Sequence, residues 1–160
     1  MWNAVDEVVP RDLLKAALAV VPKRKGADMR KDRAAALFLF EYLDGLLGTV
    51  LMLPGFAGGI STALRFKGNR RVLATRFEER SQPRHPHFAY LLKAIERMMH
   101  TGRPSYPVER TLLTSGVLDR ALTSRAKQHK QLMTPELKIK YKPVDYPHAP
   151  NPKLNSSPSR

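Results

Sequence analysis

The feature that most constrains this chain is a pair of apolar runs joined by Asp44-Gly45. Residues 36–43 and 46–53 are rich in Phe, Leu, Tyr and Val, residue types that fit a pleated sheet. A two-residue Asp-Gly link favours a type I′ hairpin turn, because both central residues take a positive φ there. Glu41 is the only charged residue of the first run. The sequence therefore predicts a buried hairpin whose first strand is mostly buried on both faces.

A second hairpin is predicted from residues 60–67 and 72–78, with Gly68-Asn69 as its turn. Alternation puts Leu64 and Phe66 on one face and Ala63, Arg65 and Lys67 on the other. The second of these faces is the more polar. The pattern predicts a sheet in which the Leu64 face is buried and the Arg65 face meets water.

Three stretches have the spacing of amphipathic helices, and one late stretch alternates as a strand does. The predicted helices are residues 11–21, ended by Pro22; residues 88–99, closed by Gly102; and residues 107–125, with Pro107 and Glu109 in the first turn. Gly116 lies within the last helix and would weaken it by about 1 kcal/mol relative to Ala, so close packing is expected there. The predicted strand is residues 137–141.

Together these elements predict an α+β fold with a mainly antiparallel sheet. The sheet is a meander of two hairpins plus the late strand, and a pair of helices packs on one face. A single domain is expected over residues 1–142, followed by a flexible Pro/Ser/Lys-rich tail over residues 143–160.

The charge balance is strongly basic, with 28 Lys and Arg against 14 Asp and Glu, a formal net charge of +14. The cations gather around residues 23–33, 65–71 and 120–142. Such a chain is attracted to polyanions without any specific site. The clusters are typical of solvated surfaces, and they also fit a basic module that binds nucleic acid or another polyanion. The sequence is compatible with both interpretations.

Residues 46–64 carry no charge and approach the length of a membrane span. Their four glycines and Pro54 favour strands and a corner over a membrane helix, although a membrane-associated protein stays a weaker alternative. Asp6 and Glu7 are unlike the start of a signal peptide. We therefore expect a cytoplasmic protein.

Residues with catalytic or ligand chemistry are few. The chain has no cysteine, which excludes disulfides, thiolate metal sites and a cysteine nucleophile. Ser115 lacks the Gly-x-Ser-x-Gly turn of a hydrolase nucleophile. His85 and His87, downstream of Glu78 and Glu79, have a spacing that fits either a metal chelate completed from elsewhere or two surface histidines. No residue is therefore assigned as catalytic, cofactor-binding or metal-ligating.

Residues 100–118, which read His-Thr-Gly-Arg-Pro-Ser-Tyr-Pro-Val-Glu-Arg-Thr-Leu-Leu-Thr-Ser-Gly-Val-Leu, resemble a helical segment late in the Gfo/Idh/MocA oxidoreductases. Residues 40–46, Phe-Glu-Tyr-Leu-Asp-Gly-Leu, look like a hairpin of that family's sheet domain, and residues 86–99 are similar to the helix between the two features. Residues 1–6 and the helix at 13–19 are included, so the resemblance covers roughly residues 1–142.

The resemblance implies the later part of a C-terminal α/β domain, which in that family shapes the substrate pocket and packs against a partner subunit. Its N-terminal Rossmann domain binds NAD(P), but this sequence has no Gly-x-Gly-x-x-Gly and no Glu-Lys-Pro catalytic motif. The resemblance therefore implies a truncated or detached module that is not catalytic alone. NAD(P) binding is implied only for a complete member of the family. Self-association through the sheet of residues 36–66, or a partner subunit, is then expected.

Overall fold

The computed structural model describes residues 1–77, 86–142 and 144. The chain forms two compact units, Met1–Arg80 and Ser81–Arg160, and each is described by itself.

The first unit opens with two short helices, α1 (Trp2–Val8) and α2 (Arg11–Ala19). The sequence predicted α2, which ends before Val20 and leaves Val21 buried. It did not predict α1, although Trp2, Val5 and Val8 recur at helical spacing. Val5 is only 2% exposed, so the helix that the sequence did not predict contributes a buried side chain to the core of this unit.

The first hairpin pairs β1 (Ala36–Glu41) with β2 (Leu47–Met52) in antiparallel register, as predicted. Its turn differs from the prediction. The amide of Gly45 donates to the Tyr42 carbonyl and Gly45 has φ 81°, whereas Asp44 keeps an ordinary φ. This is a three-residue loop with a glycine bulge, and Asp44 stabilises it by accepting a hydrogen bond from the amide of Leu46.

The second hairpin pairs β3 (Ile60–Arg65) with β4 (Val72–Phe77), again as predicted. Helix α2 packs against both strands. The Ser61 hydroxyl donates to the Ala17 carbonyl at 2.9 Å, and Arg65 bonds Asp12 at 2.8 Å. The covered face is therefore the one that includes Ala63 and Arg65, and the prediction of a buried Leu64 face was wrong. Small side chains on the Ala63 face let the helix approach the strands closely. This close packing decides which face is covered, although the Ala63 face is the more polar of the two.

Loops tie these elements together. Residues 22–24 run antiparallel to residues 56–58, with hydrogen bonds from Arg24 to Phe56 and from Gly58 to Pro22, both 2.9 Å. Asp32 follows a short 3-10 turn at Met29–Lys31 and accepts a 2.7 Å hydrogen bond from the amide of Gly55. A Cβ on Gly55 would come within 3.0 Å of that carboxylate, so only glycine fits without a shift.

The second unit contains α3 (Pro86–Thr101) and α4 (Val108–Ala126), close to their predicted bounds. Gly102, at φ 63°, closes α3 as predicted, and Pro107 occupies the N-cap position of α4, directly before the first turn in which it was predicted. The predicted strand over residues 137–141 is wrong. Residues Pro135–Leu137 form a 3-10 turn, where the Leu137 side chain packs so tightly on Gly116 that a Cβ there would overlap it. Docking on the helix replaces strand pairing for this segment.

The predicted α+β class with antiparallel strands is confirmed. The described strands form two separate two-stranded sheets and not one continuous meander. Buried apolar side chains are few in the described part of the chain: Val5, Val9, Val21, Leu53 and Ala94. The expected burial of the first hairpin, and of its first strand on both faces, is therefore wrong. No residue of β1 is buried, and Leu39, Leu47, Val50 and Met52 are each nearly half exposed. Of the predicted tail, 143–160, the structure describes Val144 alone.

Candidate functional site

Each of the three basic clusters supplies one arginine to an ion pair within its own unit. These pairs join Arg30 to Asp6 at 2.6 Å, Arg65 to Asp12 at 2.8 Å and Arg120 to Glu136 at 2.6 Å. The paired residues are 24, 53 and 16 positions apart, so no sequence pattern brings them together. Part of the excess positive charge is thus used to hold the fold, and the remaining described cations stay exposed.

The Asp6–Arg30 pair has the most organised geometry. One guanidinium nitrogen of Arg30 lies 2.6 and 2.9 Å from the two carboxylate oxygens, and its carbon lies 5.4 Å from the centre of the Trp2 ring. The hydrogen bond from Arg30 lowers the pKa of Asp6 below its usual 3.8, and the charges of Arg30 and Arg11 add to this. Both side chains remain well exposed. The pair joins α1 to the loop before β1 and lies beside the chain's single tryptophan.

The face of the second hairpin that points away from α2 carries exposed apolar side chains. Of its three directly opposite cross-strand pairs, the central one is Thr62 with Thr75 and the two apolar ones are Ile60 with Phe77 and Leu64 with Leu73. Ile60 is 57% exposed and Phe77 is 53% exposed. We call the four apolar side chains Ile60, Leu64, Leu73 and Phe77 the outer face. Ordered apolar side chains in register on an exposed sheet are typical of an interaction surface.

Helix α3 also leaves its predicted apolar stripe in contact with solvent. Leu92 and Met99 are 62% and 75% exposed, and in the described part of α3 only Ala94 is buried. On α4, Leu113, Val117 and Ala121 are half-buried as the spacing predicted, but Leu112, Leu118 and Leu122 are exposed. The second unit therefore shows regular helices with little apolar burial of its own.

The motif of residues 100–118 spans the end of α3, the connection over residues 102–107 and the first half of α4. The Thr101 hydroxyl donates to the Arg97 carbonyl at 2.8 Å, and the Ser105 hydroxyl donates to the Ala94 carbonyl at 2.7 Å. The Arg110 guanidinium lies 4.7 Å from the centre of the Tyr106 ring. Thr101, Ser105, Tyr106 and Arg110 of the motif therefore hold the connection between the two helices in place.

Beside this connection lies a cleft of about 440 Å³, lined by tyrosine rings and one arginine. Its walls come from Tyr90, Leu91 and Ala94 on α3, from Tyr106, Pro107 and Arg110, and from Tyr141 and Val144. The size lies within the usual range for small-molecule sites. The aromatic walls provide stacking surface, and Arg110 is the only charged group among the lining residues.

A second cleft of about 560 Å³ lies in the first unit, between α2 and the loop that follows it. Four cationic side chains and one carboxylate line it, together with four apolar side chains. These are Arg11, Lys15, Lys23, Arg30, Asp6, Leu14, Leu18, Met29 and Phe56. The sequence predicted residues 23–33 only as a basic cluster and gave no signal for a cleft, because Phe56, which completes the lining, is distant in the chain from α2 and the loop after it.

Among the residues considered as chemical candidates, the structure describes Ser115 and the backbone of His87. Ser115 is exposed on α4. His85 lies outside the described residues, as do Glu78 and Glu79, and His87 lies in the first turn of α3. Across residues 1–77 and 86–142, no three His, Asp or Glu side chains are grouped to hold a metal ion. Gly55, Gly58 and Gly59 lie in the connection between β2 and β3, as predicted.

Residues 46–64 form β2, the corner and most of β3, so the strand interpretation of this uncharged stretch is confirmed. No helix in the described part of the chain is long and apolar enough to cross a membrane.

Comparisons with protein-family models, with curated proteins and with solved structures find no match to this chain.

Proposed function

We propose that this chain is a detached C-terminal module of a Gfo/Idh/MocA-like NAD(P)-dependent oxidoreductase, which supplies a substrate-pocket and oligomerisation surface and is not catalytic alone. The proposal takes its family from the resemblance of residues 40–46 and 86–118. The observation that carries the oligomerisation role is the outer face of the second hairpin. A module of this kind needs a second copy or a partner subunit to cover its apolar surface.

Register and exposure support this role for the outer face. Ile60, Leu64, Leu73 and Phe77 project from the side of β3 and β4 that α2 does not cover, and each is at least 39% exposed. Two-stranded hairpins are marginally stable on their own in water, so association that covers this face stabilises the unit. Burial of four such side chains contributes roughly 25 cal/mol per Å² of apolar surface removed from water.

Sedimentation velocity of the full chain across the micromolar range tests the association. We expect a concentration-dependent shift to a dimer or larger species. The variant Leu64→Lys/Leu73→Glu places opposite charges on one cross-strand pair, which preserves attraction within the hairpin while making the outer face polar. We expect it to stay monomeric and to keep the far-UV circular dichroism of the parent.

Arg70→Glu, which changes charge at the exposed turn of the same hairpin, is the matched control and should associate as the parent does. A parent chain that stays monomeric at micromolar concentration and binds no apolar dye would contradict the proposed association.

Calorimetry with NADH and NADPH tests the noncatalytic part of the proposal. We expect no binding by the isolated chain at submillimolar cofactor. Submillimolar binding would overturn the assignment as a module without its own cofactor site. A cytoplasmic location accompanies the proposal, and cell fractionation tests it.

The alternative function is a basic module that binds nucleic acid or another polyanion. It is supported by Lys67, Arg70 and Arg71, which are exposed together around the turn of the second hairpin. Binding of a duplex oligonucleotide that weakens steeply with salt would favour it, because the slope reports the number of phosphates neutralised. Salt-insensitive self-association without oligonucleotide binding favours the oxidoreductase module.

A further inference from the structure

The cleft beside α2 combines a cationic rim with an apolar floor in one compact unit. Arg11 and Lys15 are one helical turn apart on α2, and Leu14 and Leu18 repeat the same spacing beside them. Helix α2 thus presents a cationic stripe and an apolar stripe side by side to the cleft. Lys23 faces them from the following loop.

The charges of this rim are only partly satisfied by the protein. Asp6, the one carboxylate in the lining, is held by Arg30 at 2.6 and 2.9 Å. Asp12, also on α2, is held by Arg65 outside the cleft. In the described part of the chain, Lys15 and Lys23 have no carboxylate within ion-pair distance. Like charges one turn apart on α2 repel each other unless an anion lies between them.

The floor is apolar and accessible. Leu14, Leu18, Met29 and Phe56 are all partly exposed and line the same space of about 560 Å³. An inorganic anion alone would leave these apolar side chains exposed to water, whereas a neutral apolar molecule would leave the cations without an anionic partner. A ligand with both an anionic group and an apolar body satisfies both parts of the cleft.

We propose that this cleft binds a small amphipathic anion, a carboxylate on an aliphatic body, with its charged group between Lys15 and Lys23 and its apolar body over Leu14, Leu18 and Phe56. This inference is independent of the proposed oxidoreductase function, because it rests on α2, the loop after it and Phe56, and not on the hairpin outer face or the α3–α4 connection.

The single tryptophan provides the readout. Trp2 lies against Arg30, which is itself part of the cleft wall, so occupancy should change the fluorescence of Trp2. The probe is decanoate, titrated into the full chain, with calorimetry as the second readout. Octyl glucoside supplies an apolar body without charge, and inorganic phosphate supplies charge without an apolar body. We expect saturable binding of decanoate and a much weaker response to either control compound.

The variant Lys15→Gln/Lys23→Gln removes two cations that have no ion pair among the described residues and should weaken decanoate binding by about 2- to 30-fold, the range for two exposed charge contacts. The matched control, Arg24→Gln/Lys25→Gln, removes two positive charges from the neighbouring basic cluster outside the cleft lining and should bind as the parent does. Both variants should retain the parent circular dichroism.

Three results would overturn the proposal: no decanoate response by fluorescence or calorimetry, equal binding of octyl glucoside, or equal weakening in the two double variants. Binding to phosphatidylglycerol vesicles without a decanoate response would also overturn it, because the cations would then recognise a charged surface and the apolar floor would have no role.

Discussion

The phenyl ring of Phe40 lies directly over Gly48, its antiparallel partner in the first hairpin. A Cβ built on Gly48 would come within 3.0 Å of three carbons of that ring. The same ring meets Tyr42 edge-on, with the ring centres 5.6 Å apart. The glycine therefore provides the space in which an aromatic side chain covers the exposed strand backbone, a known device for stabilising glycine in strands.

Gly48→Ala should destabilise the protein by about 1–3 kcal/mol, because the Phe40 ring must leave its position or the strands must separate. Chemical denaturation checks this value. Gly58→Ala is the control, since a Cβ there would sit 3.7 Å from the Pro22 ring in ordinary contact. Equal stability of the Gly48 variant and the parent would contradict the close contact.

Gly116→Ala on α4 should lower stability even though alanine is the better helix former by about 1 kcal/mol. The added methyl group overlaps the Leu137 side chain and displaces the 3-10 turn from the helix. Ser115→Ala, at an exposed position one residue away, should be neutral or slightly stabilising.

The double variant Gly116→Ala/Leu137→Ala should recover part of the loss caused by Gly116→Ala, and thermal unfolding of all four forms measures the coupling. Additive effects of the two substitutions would show that Leu137 does not pack on Gly116.

The contact between α2 and β3 should depend more on Ser61 than on Asp12. The Ser61 hydroxyl is partly buried and bonds the Ala17 carbonyl, so Ser61→Ala should cost about 0.5–1.5 kcal/mol. The Asp12–Arg65 pair is 49% and 40% exposed, so Asp12→Ala should cost about 0.2–1 kcal/mol and less at high salt. Urea unfolding at two salt concentrations separates the two; a larger, salt-dependent loss for Asp12→Ala would reverse this ranking.

The Asp6–Arg30 pair should make stability fall at acid pH. The pKa of Asp6 is lowered in the folded state by its hydrogen bond to Arg30, so the pair contributes fully above the usual value of 3.8. The contribution is lost as the pH falls below that value and through the lowered folded pKa. The stability difference between the parent and Asp6→Asn should therefore shrink below about pH 4.

Carboxyl chemical shifts of Asp6 followed by NMR measure the titration directly, and Glu7→Gln serves as a matched loss of one exposed carboxylate on the same helix. A midpoint for Asp6 at or above 3.8 would contradict the effect of Arg30.

Local pattern was sufficient for most elements of the fold. The two hairpins, α2, α3 and α4 follow from the periodicity of apolar residues and from Gly and Pro residues that end helices and form turns. Both signals act within a few residues. Gly102 and Pro107 mark the connection between α3 and α4 because their backbone preferences hold in any context. The Asp44-Gly45 turn was located correctly, but its type was not, because one extra residue in the loop let Asp44 keep an ordinary φ and leave the positive φ to Gly45.

Local sequence pattern could not predict which face of a strand is covered or which distant segment a residue contacts. Alternation in β3 separated Leu64 from Ala63, but it could not show which face α2 would cover. The same limit applies to the strand predicted at residues 137–141, whose alternation was real but whose partner is Gly116 of α4. The cleft beside α2 could not be predicted because Lys15 and Phe56 are 41 positions apart.

The sequence by itself determined where the described strands, the hairpin turns and the ends of α3 and α4 near Gly102 and Pro107 lie. These features depend on backbone preferences and on periodicity within a short window of residues. Only the tertiary structure decided which carboxylate holds each of Arg30, Arg65 and Arg120, and which face of β3 meets α2. The physical reason is that side-chain contacts between distant segments depend on size and approach, and the small residues Ser61 and Ala63 permitted a helix where polarity alone favoured water.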